Sequence, residues 1–157
     1  MRKSILSQPA ADSHSPNAAE WLDLHELATA EISSEDPEHP IENALPGGKE
    51  GGWRAAAPGL QVIRLIFDKP QPIRRIRLEF REGQRQRSQE FVLLATLASG
   101  QTQEVVRQQW TFSPGGSVVE VEDYTVDLPG VLSLELKIDP GRHDHQAVAS
   151  LESISIA

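Results

Sequence analysis

The stretch Ile73-Arg-Arg-Ile-Arg-Leu-Glu-Phe80 sets the reading of the whole chain. Ile76, Leu78 and Phe80 share one parity, and Arg75, Arg77 and Glu79 share the other. Side chains of a strand alternate between its faces, so this period of two predicts a half-buried strand with a charged outer face. Residues 131–138 repeat the pattern, with Leu132, Leu134, Leu136 and Ile138 expected inside and Ser133, Glu135 and Lys137 outside. Residues 91–98 are apolar on both parities, which suggests a central strand.

Working outward from these segments, further strands are expected at 28–32, 60–67, 104–112 and 147–156. In 117–128 the apolar parity changes between Val121 and Tyr124, which predicts a β-bulge. The breaks Asp68-Lys-Pro-Gln-Pro72, Glu82-Gly83, Ser99-Gly100, Ser113-Pro-Gly-Gly116, Leu128-Pro-Gly130 and Asp139-Pro-Gly141 carry turn chemistry, with proline fixing φ or glycine admitting positive φ. About eight strands without helical crossovers cannot make a parallel sheet. The expected fold is therefore all-β, an antiparallel β-sandwich or jelly roll, with an up-and-down barrel as the structural alternative.

Before residue 53 the pattern is different. Residues 1–20 show no period and read as a flexible N-terminal arm, leaving 21–157 as one domain. Trp21, Leu22, Leu24 and Leu27 have the spacing of one short helical turn. Residues 33–52, punctuated by Pro37, Pro40, Pro46 and four glycines, make a connection long enough to be functional or tied down.

Composition narrows the function. A chain of 157 residues can bury a full core without disulfides or a structural metal, and the absence of cysteine excludes thiol catalysis and zinc-thiolate sites. A net charge of −8 argues against a nucleic-acid partner. No run approaches the roughly 18 apolar residues of a membrane span, and Met1-Arg-Lys-Ser-Ile-Leu lacks the apolar core of a secretory signal, so a soluble, cytoplasmic chain is expected. Charge is segregated, with ten acidic residues and one basic in 11–52, then nine basic and three acidic in 53–87. Either these stretches neutralise each other or the arginines build a site for a polar or anionic ligand.

The order of residues from Ala30-Glu-Ile-Ser-Ser34, Asp36-Pro37 and Ile41-Glu-Asn-Ala-Leu45, through Gly52-Trp53, to Pro58-Gly-Leu-Gln-Val-Ile-Arg-Leu-Ile-Phe-Asp68 resembles the galactose-binding-like β-sandwich. That is the fold of discoidin or coagulation-factor type C domains and of many carbohydrate-binding modules. The likeness continues through Pro129-Gly-Val-Leu-Ser-Leu-Glu-Leu-Lys-Ile138 and Ala149-Ser-Leu-Glu-Ser-Ile-Ser-Ile156, and covers roughly residues 26–157. The family's "DG" is replaced by Pro46-Gly47, and Ser153 stands where the family's calcium-holding glutamate would be.

Three constellations are candidates for chemistry. The first is the loop Gly141-Arg-His-Asp-His-Gln146 with Trp53, Arg54, Arg81, Arg85 and Arg87, and also Trp110. Guanidinium, amide and imidazole groups hydrogen-bond paired sugar hydroxyls, and an aromatic face takes the ring's C–H patch. The resemblance implies that Arg85, Arg87, Arg142 and His143 are the contacts, and Trp53 is the candidate for the aromatic face. The competing reading makes Trp53 and Trp110 core residues and the others a solvated turn. The second is a hard-cation site in 33–43, where Asp36, Glu38, Asn43 and backbone carbonyls suit calcium; the competing reading is an acidic, proline-stiffened loop without an ion. The pair His143 and His145, with His39 as a distant partner, lacks the further histidine of a cupin-type site.

The third is catalysis. No nucleophile elbow, phosphate loop or zinc-protease motif is present, and Glu120 with Glu122 reads as a solvent-facing stripe. The expectation is a non-catalytic binding module whose partner is a carbohydrate. The alternative is a protein-interaction sandwich that uses the basic face of Arg75 and Arg77.

Overall fold

The computed structural model describes residues 21–157; the expected arm at 1–20 lies outside the described residues. A four-residue helix, α1 (Leu24–Leu27), precedes eight strands: β1 (Ala28–Ile32), β2 (Trp53–Pro58), β3 (Gln61–Arg81), β4 (Arg87–Leu97), β5 (Thr102–Phe112), β6 (Val119–Asp139), β7 (Val148–Leu151) and β8 (Ser153–Ile156). All pairings are antiparallel, and the strands form a sandwich. No helix is long and apolar enough to cross a membrane among the described residues.

The count of eight agrees with the sequence, but the divisions differ. Residues 60–67 and 73–80 belong to one strand, β3, and 117–128 joins 131–138 in β6. These 21-residue strands pair along their length, from Gln61 opposite Ile138 to Arg81 opposite Val119. The segments around Pro70, Pro72 and Pro129-Gly130 bend the ribbon without reversing it. Register shifts fall between Ile66 and Ile73 and again before Arg75. The first half of β3 lies between β1 and β6, whereas its second half lies between β6 and β8, so one ribbon contributes to both layers. Conversely, 147–156 divides into β7, paired with β2, and β8, paired with β3. β2 was not expected, because its Ala-Ala-Ala-Pro composition carries no period.

The bulge expected between Val121 and Tyr124 is not there. The ladder from Val119 to Thr125 is regular, Val119 and Val121 face solvent, and Glu120 is fully buried. An acidic residue at an inward position disguised the parity. The phase changes instead between Leu128 and Val131; consequently Val131 is buried and Leu132 only half-buried. In β3 it changes between the buried Ile73 and Ile76.

The core is closed by contacts between the layers. Phe80 of β3 stacks on Phe91 of β4 with ring centroids 5.1 Å apart. Each such fully buried apolar side chain contributes about 1.5–3 kcal/mol relative to exposure. β4 lies between β6 and β5, as its two apolar faces predict.

The long connection is held by its own hydrogen bonds. Ile41 N–H donates to Glu35 Oε1 at 2.6 Å, starting the 3-10 helix Ile41–Ala44. Trp53 Nε1–H donates to the Ser34 carbonyl at 3.2 Å. Gly52, at φ 59°, lies against the Leu151 carbonyl and the Glu152 backbone, where any Cβ would collide.

Candidate functional site

At one end of the sandwich the turn 82–86 and the loop 140–147 flank the outer face of the β2–β7 pair. Between them is a cleft of about 590 Å³. Its floor follows from strand alternation. Ala147, Ala149 and Leu151 are buried, so Val148, Ser150 and Glu152 face outward, and Ser150 lies opposite Arg54 on β2. Arg81, Gln84 and Arg85 form one wall, His39 and Gly51 come from the long connection, and Gln146 comes from the last loop. No Trp, Tyr or Phe lines the cleft among the described residues.

Arg87 organises both flanking loops from inside the core. Its side chain is 0% exposed, with Nε donating to Glu82 Oε1 at 2.8 Å and Nη1 donating to Gln89 Oε1 at 2.9 Å and to the Pro140 carbonyl at 2.8 Å. The guanidinium also stands 4.8 Å from the centre of the Phe112 ring. Glu82 in turn accepts the N–H groups of Gln84 and Arg85 through Oε2, which shapes the turn. Burial works to raise the Glu82 pKa, but the Arg87 bond and the turn N–H groups outweigh it and hold the carboxyl below its ordinary value. Outside, Arg85 pairs with Asp144, whose carboxyl is lowered first by that bond and then by the Gln146 N–H.

Behind Arg87, Gln89 Nε2 donates to Glu120 Oε1 at 3.0 Å, joining the two layers. Desolvation pushes the Glu120 carboxyl up to about 7 against the opposing Gln89 bond, and Glu122 adds in the same direction. Glu120 Oε2, Arg87 Nη2 and Trp110 Nε1 are buried without a partner among the described residues. Glu120 and Glu122 are therefore not a solvent-facing stripe.

The expected ligand contacts separate into three groups. Arg85 lines the cleft, together with Arg54 and Arg81. Trp53 and Arg87 are buried and engaged, so they present nothing to a ligand: the indole fills the core and the guanidinium is an internal tie. Arg142 and His143 are exposed but lie outside the cleft; Arg142 is 3.7 Å from Glu90 and its N–H donates to the Ser88 carbonyl. Trp110 packs half-buried against the core. Sequence reasoning missed Gln84 and Ser150 and named His39 as a distant metal partner instead of a cleft residue; the outward parity of Ser150 within 147–156 was the available signal.

The expected calcium set Asp36, Glu38 and Asn43 is not gathered around one point by the structure, and Asp36 is engaged within its own loop. Asp36 Oδ1 accepts the Glu38 N–H at 3.0 Å, and Oδ2 meets His39 Nδ1 at 3.3 Å. The Glu38 N–H is the main cause of its lowered pKa. Asn43 lines a different hollow, and no three His, Asp or Glu side chains gather in metal-binding range among the described residues. The basic face of β3 is also engaged: Arg75 forms two bonds to Asp123, at 2.8 and 2.6 Å, and Arg74 pairs with Asp127. Those partners come from β6, while Glu31 of the acidic stretch pairs with Arg64 on the same ribbon at 3.1 Å.

No protein-family model matches the chain, and no curated protein does. Solved structures do. The family 32 carbohydrate-binding module of C. perfringens NanJ, in complex with galactose, is similar at a TM-score of 0.61 and 16% identity, over 87% of this chain and 96% of that one. The fold is the galactose-binding-like β-sandwich. The family 32 module of AlyQ, in complex with 4,5-unsaturated mannuronic acid, gives a TM-score of 0.57 at 13% identity over 84% of this chain and 95% of that one. Reduced XRCC1 bound to the DNA polymerase beta catalytic domain gives 0.57 at 15% identity, over 83% and 94%. Sugar binders and a protein-bound repair domain thus share this architecture.

Proposed function

We propose that this protein is a non-catalytic binding module that takes a carbohydrate in the cleft between the 82–86 turn and the β2–β7 pair. The observation that carries the reading is the cleft's chemistry. It gathers planar guanidinium groups from Arg54, Arg81 and Arg85, amides from Gln84 and Gln146 and the Ser150 hydroxyl at the loop end of a sandwich. Such groups hold paired hydroxyls in a fixed plane and leave the core untouched. The similar modules solved with galactose and with an unsaturated mannuronic acid support it.

A glycan-array screen of the purified protein, read beside Gln146→Ala and Arg54→Ala, tests this. Binding to a defined set of saccharides that is weakened in both variants is the expected result. A blank array would move the reading to a protein-docking sandwich. That second reading is favoured by the likeness to XRCC1 bound to a polymerase domain, and pairing of Arg74 and Arg75 with β6 directs it away from the basic face of β3.

A further inference from the structure

We propose, resting on the carbohydrate reading, that the cleft selects a carboxylated sugar: a uronate whose carboxylate is taken by Arg54 and Arg81, in preference to a neutral hexose.

The charges around the cleft divide into those already paired and those left open. Arg54 is exposed on the cleft floor, and its side chain has no hydrogen bond or ion pair among the described residues. Its backbone is nevertheless fixed, with N–H donating to the His39 carbonyl at 3.1 Å and its own carbonyl accepting from Asp36 at 2.8 Å. Arg81 uses Nε on Glu79 Oε2 at 2.8 Å, which orients the guanidinium and leaves its two terminal nitrogens without a hydrogen bond among the described residues. Of the acidic residues of the lining, one is fully occupied and the other in part. Glu82 spends both oxygens on Arg87 and the turn N–H groups, and Glu152 accepts the Gly51 N–H at 3.3 Å. Ionised donors are thus open to a ligand; of the lining's carboxylates Glu82 is fully engaged, whereas Glu152 uses one oxygen on Gly51 and shares its charge with Arg81, which leaves Arg54 as the leading cation for the ligand.

Neutral sugars gain much of their affinity from an aromatic face beneath the apolar side of the ring. This cleft has none among the described residues, so its ligand must be held by polar contacts. A carboxylate only accepts hydrogen bonds and forms charge-assisted, bidentate pairs with guanidinium groups, which makes it the better match. General attraction does not explain such binding, because a protein of net charge −8 repels polyanions except where local donors are exposed.

The test is calorimetric titration with oligogalacturonate and oligomannuronate, each beside its carboxyl-reduced neutral counterpart, and with polyglutamate as a charge control. The acidic oligosaccharides are expected to bind at least about ten-fold more tightly than the reduced ones, and Arg54→Gln or Arg81→Gln to remove about ten-fold each. Arg54→Gln should unfold at the wild-type denaturant midpoint, so its loss reports on the ligand. Equal affinity for acidic and reduced forms would overturn the uronate preference and leave the carbohydrate reading standing. Polyglutamate binding as tightly as the sugars would also overturn it. Failure of both saccharide forms to bind would overturn both readings.

Discussion

Arg87 Nη1 donates to the Pro140 carbonyl at 2.8 Å, a bond that fixes the loop after β6 to the start of β4. The same guanidinium holds Glu82 through Nε, so one buried cation ties together both loops beside the cleft. Because the side chain is inaccessible, it acts on a ligand only by positioning Gln84, Arg85 and Gln146.

Replacing it with alanine leaves Glu82 without its cation and the Pro140 carbonyl without its donor. The expected loss is about 3–5 kcal/mol in guanidinium denaturation, the usual result of breaking one side of a buried ion pair. Arg87→Lys should recover less than half of this, because an ammonium does not reproduce the planar fork that reaches Glu82, Gln89 and Pro140 together. A lysine variant with wild-type stability would show that the geometry of the fork is unimportant.

Glu120 gives a pH signature of definite sign. Burial raises its carboxyl from 4.5 to about 7 in the folded chain. Between those values the unfolded chain releases the proton before the folded chain does, so folding stability falls as pH rises from about 4.5 to 7 and levels off above. Its charged neighbours are Glu122 on the same strand and Arg87 on β4; Gln89 donates to it, and Tyr124, whose hydroxyl donates to Glu122, is itself raised, chiefly by desolvation. Glu120→Gln should flatten that slope and gain about 1–3 kcal/mol at pH 8. Denaturation midpoints for both proteins at several pH values decide it, and parallel profiles would refute the assignment.

Trp53 is a structural reporter. Trp53→Phe should cost about 1 kcal/mol through the lost bond to the Ser34 carbonyl, while preserving most of the packing. In a variant with Trp21 and Trp110 replaced by phenylalanine, saccharide titration should leave the remaining emission unchanged. A ligand-dependent shift of that emission would place Trp53 at the ligand after all.

Arg142 and His143 lie outside the cleft. Alanine at either position should alter saccharide affinity less than about two-fold, since their contacts are solvent-exposed and the Arg142–Glu90 separation of 3.7 Å is that of a weak surface pair. A loss comparable with that of Arg54→Gln would move the site toward the 141–146 loop.

Alternation over 73–80 and the two-sided apolarity of 91–98 made the strands and the central place of β4 readable. The ends of the strands were less so, because proline at a bend and proline at a reversal look alike in sequence. Pro70 and Pro72 lie where β3 crosses between layers, and only pairing with β6 along both halves distinguishes that from a turn. Of the candidate site, the arginines were visible as a cluster, but their accessibility was not: Arg85 and Arg87 are two residues apart on the chain, yet one lines the cleft and the other has no exposed side chain.

The sequence by itself determined the all-β class and the resemblance to the galactose-binding-like sandwich, and it showed the arginines as a cluster, because these depend on local periodicity and residue type. Tertiary structure decided which charges are already spent. Arg75 meets Asp123 across 48 positions and Arg85 meets Asp144 across 59, whereas Arg54 has no hydrogen-bonded or ion-paired partner among the described residues and interacts with Asp36 at longer range. Coulomb energy depends on distance in space, and contacts between residues so far apart in sequence are fixed only when the two layers close.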